Sequence, residues 1–156
     1  MAIRNIVKEG DDVLKKKCHY VTKFDDRLAM LIDDMKETLA QANGVGLAAP
    51  QVGILRRVVV ISIPEQDVEL ELVNPDIVQQ SGNQEEIEGC LSCPNQWGVT
   101  KRPMFVTVKA FDRNGNEFTV KGEGLVARCF CHELDHLDGI LFKERTIKMV
   151  DPSEMD

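Results

Sequence analysis

The sequence predicts an α+β fold. Two helical stretches lie far apart, at 25–43 and 124–137. The apolar and alternating runs between them have the character of strands, and glycine and proline punctuate those runs.

The first helix runs from Asp25 to Asn43. Leu28, Leu31, Ile32, Met35 and Leu39 recur at helical spacing with acids between them, Asp25 can cap the start, and Gly44 can end it. The next stretch, "GVGLAAPQVG" at 44–53, is too rich in glycine and proline for a regular element. "RRVVVISI" at 56–63 reads as a buried strand. "VELELV" and "DIVQQSG" read as two shorter strands on either side of Asn74-Pro75. "MFVTVKAF" alternates, and "EFTVKG" follows it across Asn114-Gly115, a strong hairpin signal. Gly124 to Leu137 forms the second helix with Gly139 placed to stop it, and "ILFKE" returns as a short strand.

Length and composition narrow the function. A chain of 156 residues is most simply one domain, 1–156, and long enough to bury a real core. The net charge of −7 argues against electrostatic binding to nucleic acid. The longest strongly apolar run, "VVVISI", is too short for a membrane span, and the start "MAIRNIVKEG" has no apolar targeting core. Five cysteines with no secretory leader read as reduced thiols, so a cytoplasmic location is expected.

The chemistry concentrates in "CFCHELDHLDG" at 129–139. A helix turns about 100° per residue, so His132 and His136 share a face and can close on one metal ion. Glu133 stands beside that face, within reach of a water on the ion. A solvated helix with two incidental histidines is the bland alternative. However, the chain has only three histidines, and Phe130, Leu134 and Leu137 would bury the helix. Cys129 cannot complete the site, because 129 to 136 covers about 10 Å of helix axis while metal–ligand bonds are about 2.0–2.3 Å. It reads as a small core residue, and Cys131 points away from the histidine face. The other cluster able to hold metal is "EGCLSCP" at 88–94, where Cys90 and Cys93 have the spacing of a zinc knuckle. A closed structural zinc on Cys90, Cys93, His132 and His136 therefore stays open at this point, although it leaves Glu133 without a task.

Three stretches in order, "GVGLAAPQ" (44–51), "EGCLS" (88–92) and "CHELDH" (131–136), resemble the peptide deformylase family. The resemblance covers nearly the whole chain. It implies mixed antiparallel sheets packed around a central metal-bearing helix. It also implies hydrolytic removal of the N-formyl group from the initiator methionine of new bacterial or organellar polypeptides. Cys90, His132 and His136 would hold one divalent metal with water in the fourth position. Fe(II) is the implied native ion, and zinc, nickel or cobalt can replace it. Glu133 would activate the metal-bound water. Gln51 and the backbone N–H of Leu91 would hold the developing oxyanion. Val45, Gly46 and Gly89 would meet the substrate peptide, and Glu88 would pair with Arg102. The implied partners are the N-formylmethionyl peptide and the ribosome, with no direct contact to nucleic acid and none to membrane.

The sequence departs from the family pattern at Cys131, usually glutamine, at Cys93, usually apolar, and at Trp97, often arginine. It also ends at "VDPSEMD" without the long C-terminal helix by which many bacterial members would dock on the ribosome. A zincin-type metalloprotease is the enzymatic rival. Its third ligand would have to be Glu144 or Glu154, the histidines and glutamates left after His136 being only these two.

Overall fold

The computed structural model describes residues 2–154. Helix α1 (Asp26–Ala42) begins on the Asp25 side chain, which accepts from the N–H of Leu28 at 3.1 Å. It stops at Asn43, which takes the left-handed conformation (φ 55°) one residue before the expected glycine. The stretch thought too irregular for an element contains a three-residue strand, β1 (Gly46–Ala48), and a 3-10 turn (Ala49–Val52). Next come β2 (Val58–Ile63) and β3 (Val68–Ser81). The two short strands expected around Asn74-Pro75 are one continuous strand. Asn74 adopts φ 49°, and the register against the neighbouring strand shifts between Val73 and Asp76. A bulge of this kind absorbs the proline, which has no N–H to give to the ladder.

Strands β4 (Gln84–Cys90), β5 (Cys93–Arg102), β6 (Phe105–Phe111) and β7 (Glu117–Glu123) precede helix α2 (Leu125–Leu137), and β8 (Thr146–Val150) closes the order. "ILFKE" is not a strand; its second half turns as a 3-10 helix, Phe142–Arg145, and β8 follows it. Phe142 is 1% exposed, and its ring stacks on His132 with centroids 6.0 Å apart. That packing pulls the segment onto α2 and away from an extended path.

The strands form two antiparallel sheets, a five-stranded one ordered β1-β2-β3-β6-β7 and a three-stranded one ordered β4-β5-β8. Strand β2 shows why its sequence is unbroken "VVVISI". Val59, Ile61 and Ile63 pack with α2, while Val58 and Val60 pack with α1. A strand covered on both faces has no polar side to alternate with. Helix α2 turns Val126, Ala127, Phe130, Leu134 and Leu137 to the large sheet. Each large apolar side chain buried in this way is worth about 1.5–3 kcal/mol. Its opposite side meets Glu88 and Arg102 of the small sheet, so the helix lies between the two sheets. No helix among the described residues is long and apolar enough to cross a membrane.

Candidate metal centre

Helix α2 is buried along most of its length, and His132, Glu133 and His136 are each less than 9% exposed. The tip of the β4–β5 hairpin lies against them. There Cys90 and Cys93 face each other across the turn Leu91-Ser92, after a bulge between Glu88 and Cys90. The ligand atoms of Cys90, His132 and His136 all lie within 4.8 Å of one another, with Cys90 Sγ 3.4 Å from His136 Nε2. Among the described residues, no other group of three or more histidine, cysteine or carboxylate side chains converges in this way. Cys93 is buried and does not join the three, although it touches Cys90 and helps, with burial and the Glu133 carboxylate, to push the Cys90 thiol up. The closed four-ligand arrangement is therefore not formed. Cys129 and Cys131 are both buried and outside the cluster; Cys129 stands too far along the helix axis from His136, and Cys131 faces away from the histidines.

The three donors fit a divalent ion of borderline softness, one thiol and two imidazoles. Burial holds His136 well below its ordinary range, so its ring is neutral and has a lone pair to give. His132 Nδ1 lies 3.0 Å from Glu88 Oε1. Burial alone would raise the Glu88 carboxyl. Hydrogen bonds from His132 and Arg102 outweigh it and hold Glu88 down at about 2. The carboxylate is therefore ionised, Nδ1 carries the proton, and Nε2 is left free to ligate. Arg102 meets Glu88 through Nε and Nη2, both at 3.0 Å, and reaches Asp135 through Nη1 at 2.9 Å. Thr100 donates its hydroxyl to the same Glu88 carboxylate, and Arg145 bonds Asp135 at 3.2 Å.

Glu133 is 4% exposed, and its Oε1 has no hydrogen-bond partner among the described residues. Burial pushes its carboxyl up to about 7, against the pull of His132. Such a group can take and return a proton near neutrality. Its other oxygen lies under Gly46, where an added Cβ would stand 2.7 Å from Oε2, so only glycine lets β1 approach this closely. Gln51 is anchored by its Oε1, which accepts from the N–H of Ala48 at 3.0 Å. Its amide nitrogen then faces Ser92 Oγ at 3.1 Å and Cys90 Sγ at 3.6 Å. Leu91 follows Cys90 in the turn. Val45, Gly46, Gly89, Leu91 and Gln51 all line one cavity of about 440 Å³ that reaches Cys90, His132 and Glu133.

The residues that the family resemblance marks out, Cys90, His132, His136, Glu133, Gln51, Leu91, Val45, Gly46 and Gly89, with Glu88 and Arg102 behind His132, thus gather at one place, whereas Cys131 and Glu144 lie apart from it. Sequence reasoning missed Thr100, Asp135 and Ser92. Thr100 has a signal, since it lies two residues before Arg102 and so shares its face of β5. Asp135 stands between the two histidines' last turn and the arginine, with no spacing rule to mark it.

A polypeptide deformylase family profile matches residues 3–151. A curated peptide deformylase of Caldicellulosiruptor bescii is 55% identical over 156 residues, covering 100% of this chain and 93% of the relative. One from Acetivibrio thermocellus is 52% identical over 156 residues, covering 100% and 91%. The crystal structure of a peptide deformylase from Legionella pneumophila superposes with a TM-score of 0.89 at 44% identity, over 98% of this chain and 89% of that one. Identity at this level over the whole length, in the same two-sheet architecture, leaves one assignment: the chain belongs to the polypeptide deformylase family of metal-dependent hydrolases.

Proposed function

We propose that residues 1–156 act as one catalytic domain that hydrolyses the N-formyl group of the methionine at the start of nascent polypeptides. In this reading Cys90, His132 and His136 hold one divalent ion, natively Fe(II), which zinc, nickel or cobalt can replace. The observation that carries the reading is the convergence of those donors beside the buried Glu133 carboxylate, at the wall of a cavity open to a peptide.

A divalent ion at this position supplies a Lewis acid and acidifies the water it holds. Glu133 takes a proton from the attacking water and returns it to the amine as the carbon–nitrogen bond breaks, giving formate and a free methionyl amine. The Gln51 amide, held by Ala48, and the N–H of Leu91 donate to the oxygen on which charge develops. A donor of this kind is typically worth about 3 kcal/mol. Strands β1 and β4 are the outer strands of their sheets, and Val45, Gly46 and Gly89 border the cavity between them. An extended peptide can pair with such edges. The Val45 carbonyl accepts from the N–H of Ser62 at 2.9 Å, while its own N–H has no protein partner among the described residues and can donate to a substrate.

The zincin alternative loses support from Glu144, whose Oε2 accepts from the N–H of Leu141 at 2.9 Å and caps a turn. The protein would work in the bacterial cytoplasm, on formylated chains emerging from the ribosome, without contacting nucleic acid directly. The test is formate release from formyl-Met-Ala-Ser by anaerobically prepared iron enzyme. Turnover that disappears with chelator and returns with Fe(II) is expected. Absence of formate at every metal loading overturns the reading.

A further inference from the structure

Cys90 and Cys93 are register partners across the turn Leu91-Ser92, so their side chains stand on the same side of the hairpin. Both thiols are free, and that of Cys93 touches that of Cys90. Directly opposed residues of an antiparallel pair have Cβ atoms about 4.5–5.5 Å apart, and a disulfide needs about 3.5–4.5 Å. The bulge between Glu88 and Cys90 interrupts the ladder just before the tip, which leaves the tip free to close by that small step.

The two thiols differ in access. Cys90 is half-buried at the wall of the cavity, whereas Cys93 is 1% exposed. Leu14, Leu141 and Phe142 pack around Cys93, and Cys90 leans on the same apolar group. A small oxidant entering the cavity therefore meets Cys90 first, and the thiol held against it is that of Cys93. Cys129 also borders the cavity, but from α2 and outside the group that Cys90 forms with the histidines.

We propose that Cys90 and Cys93 form a reversible disulfide on exposure to a peroxide, and that this bond and the metal ion exclude one another. The oxygen–oxygen bond of the peroxide breaks as one oxygen joins Cys90 Sγ, giving the sulfenic acid and water. Cys93 Sγ then attacks that sulfur and expels its oxygen as a second water. Two thiols are oxidised and one peroxide is reduced; where Cys90 enters as the ligating thiolate, hydroxide replaces one water. A sulfur in a disulfide is no longer a thiolate, so the ion is left with two imidazoles. A dithiol reductant breaks the bond by exchange and returns the donor. Without Cys93, Cys90 continues to sulfinic and sulfonic acids, which thiols do not reduce. The disulfide needs only the two thiols and goes beyond the deformylase reading; its effect on the ion rests on Cys90 being a donor.

The test treats the full-length chain with graded hydrogen peroxide after loading with zinc, an ion that is not itself oxidised. Remaining thiols are then alkylated, non-reduced peptides are mapped by mass, and released zinc is read with a colorimetric chelator. An unalkylated peptide spanning Cys90 and Cys93, lighter by the hydrogens lost, is expected, with one zinc released per disulfide. Dithiothreitol plus zinc restores the original binding. Cys93→Ala binds zinc at first, but after peroxide it carries Cys90 as the higher acids and its binding stays lost; Cys93→Val repeats the comparison with the apolar volume kept. Higher acids on Cys90 of the wild type with Cys93 still open to alkylation, a bond from Cys90 to Cys129, zinc retained alongside the disulfide, or recovery in both variants equal to the wild type overturns the proposal. A wild-type chain that takes up no zinc before oxidation overturns the metal reading, and the exclusion with it.

Discussion

His132 Nδ1 and Glu88 Oε1 are 3.0 Å apart, and both side chains are buried. This one contact joins the helix to the small sheet and settles which ring nitrogen of His132 is free. Arg102 holds Glu88 in turn through two hydrogen bonds, so the orientation of the imidazole depends on a guanidinium that is itself no part of the donor set.

Arg102→Ala would leave the Glu88 carboxylate buried with only Thr100 and His132. Removing one partner of a buried pair costs roughly 3–5 kcal/mol, and loss of such a supporting contact typically weakens metal affinity about 10–100-fold. Urea melts and competition with a chelator measure the two effects. A double-mutant cycle with Glu88→Gln should show strong coupling; additive losses would show that the pair does not act as a unit.

Under the proposed mechanism, Glu133→Ala should retain the ion and lose about 10²–10⁴-fold in turnover, because there the side chain moves a proton and does not ligate. Metal content per chain and kcat, measured on one preparation, separate the two roles. A variant that loses its ion would contradict this assignment.

Glu71 gives an acid-sensitivity prediction away from the site. Burial works to raise its carboxyl, but hydrogen bonds from Arg113 and Lys36 prevail and hold it at about 2, below the ordinary 4.5. Above pH 4.5 the carboxylate is ionised in both folded and unfolded chains, and its contribution is complete. As pH falls, the unfolded chain takes the proton first, so that contribution declines and is gone near pH 2. Glu71→Gln should cost about 1–2 kcal/mol at neutral pH and flatten the acid limb of stability. The difference between variant and wild type, from melts at stepped pH, should shrink as the medium is acidified; a constant difference would refute the ionic account.

Cys93→Ser should leave the visible absorption of the cobalt-substituted protein essentially unchanged, because Cys93 lies outside the donor cluster. Cys90→Ser should abolish the thiolate bands. Two thiolates per cobalt in the wild type would restore the closed four-ligand site.

The helix, its histidines and Glu133 were readable because a period of 3.6 fixes which side chains share a face. The apolar β2 and the β6–β7 hairpin were readable for similar reasons of pattern and turn chemistry. The β4–β5 hairpin was not, although it carries Cys90. "QEEIEGC" turns Glu88 inward to an arginine and a histidine, so the polar residue occupies the side where a strand pattern expects an apolar one. Asn74-Pro75 misled in the other direction, since a left-handed asparagine lets one strand run through a proline. Spacing in the chain treats Cys90 and Cys93 alike; the family resemblance singles out Cys90, and the fold brings Cys90, not Cys93, to the two histidines.

The donors also belong to units that fold from distant parts of the chain: Cys90 lies at the hairpin tip and His136 lies 46 residues later on α2. A chain whose small sheet has not yet docked offers an ion two donors at most. Closing a loop of that length has an entropic cost that the ion can offset only after the hairpin has arrived. Tight metal uptake by these donors would therefore require that docking to be complete. It should follow the association of hairpin and helix in time, and a chain stalled before that step should surrender its ion to any competing chelator.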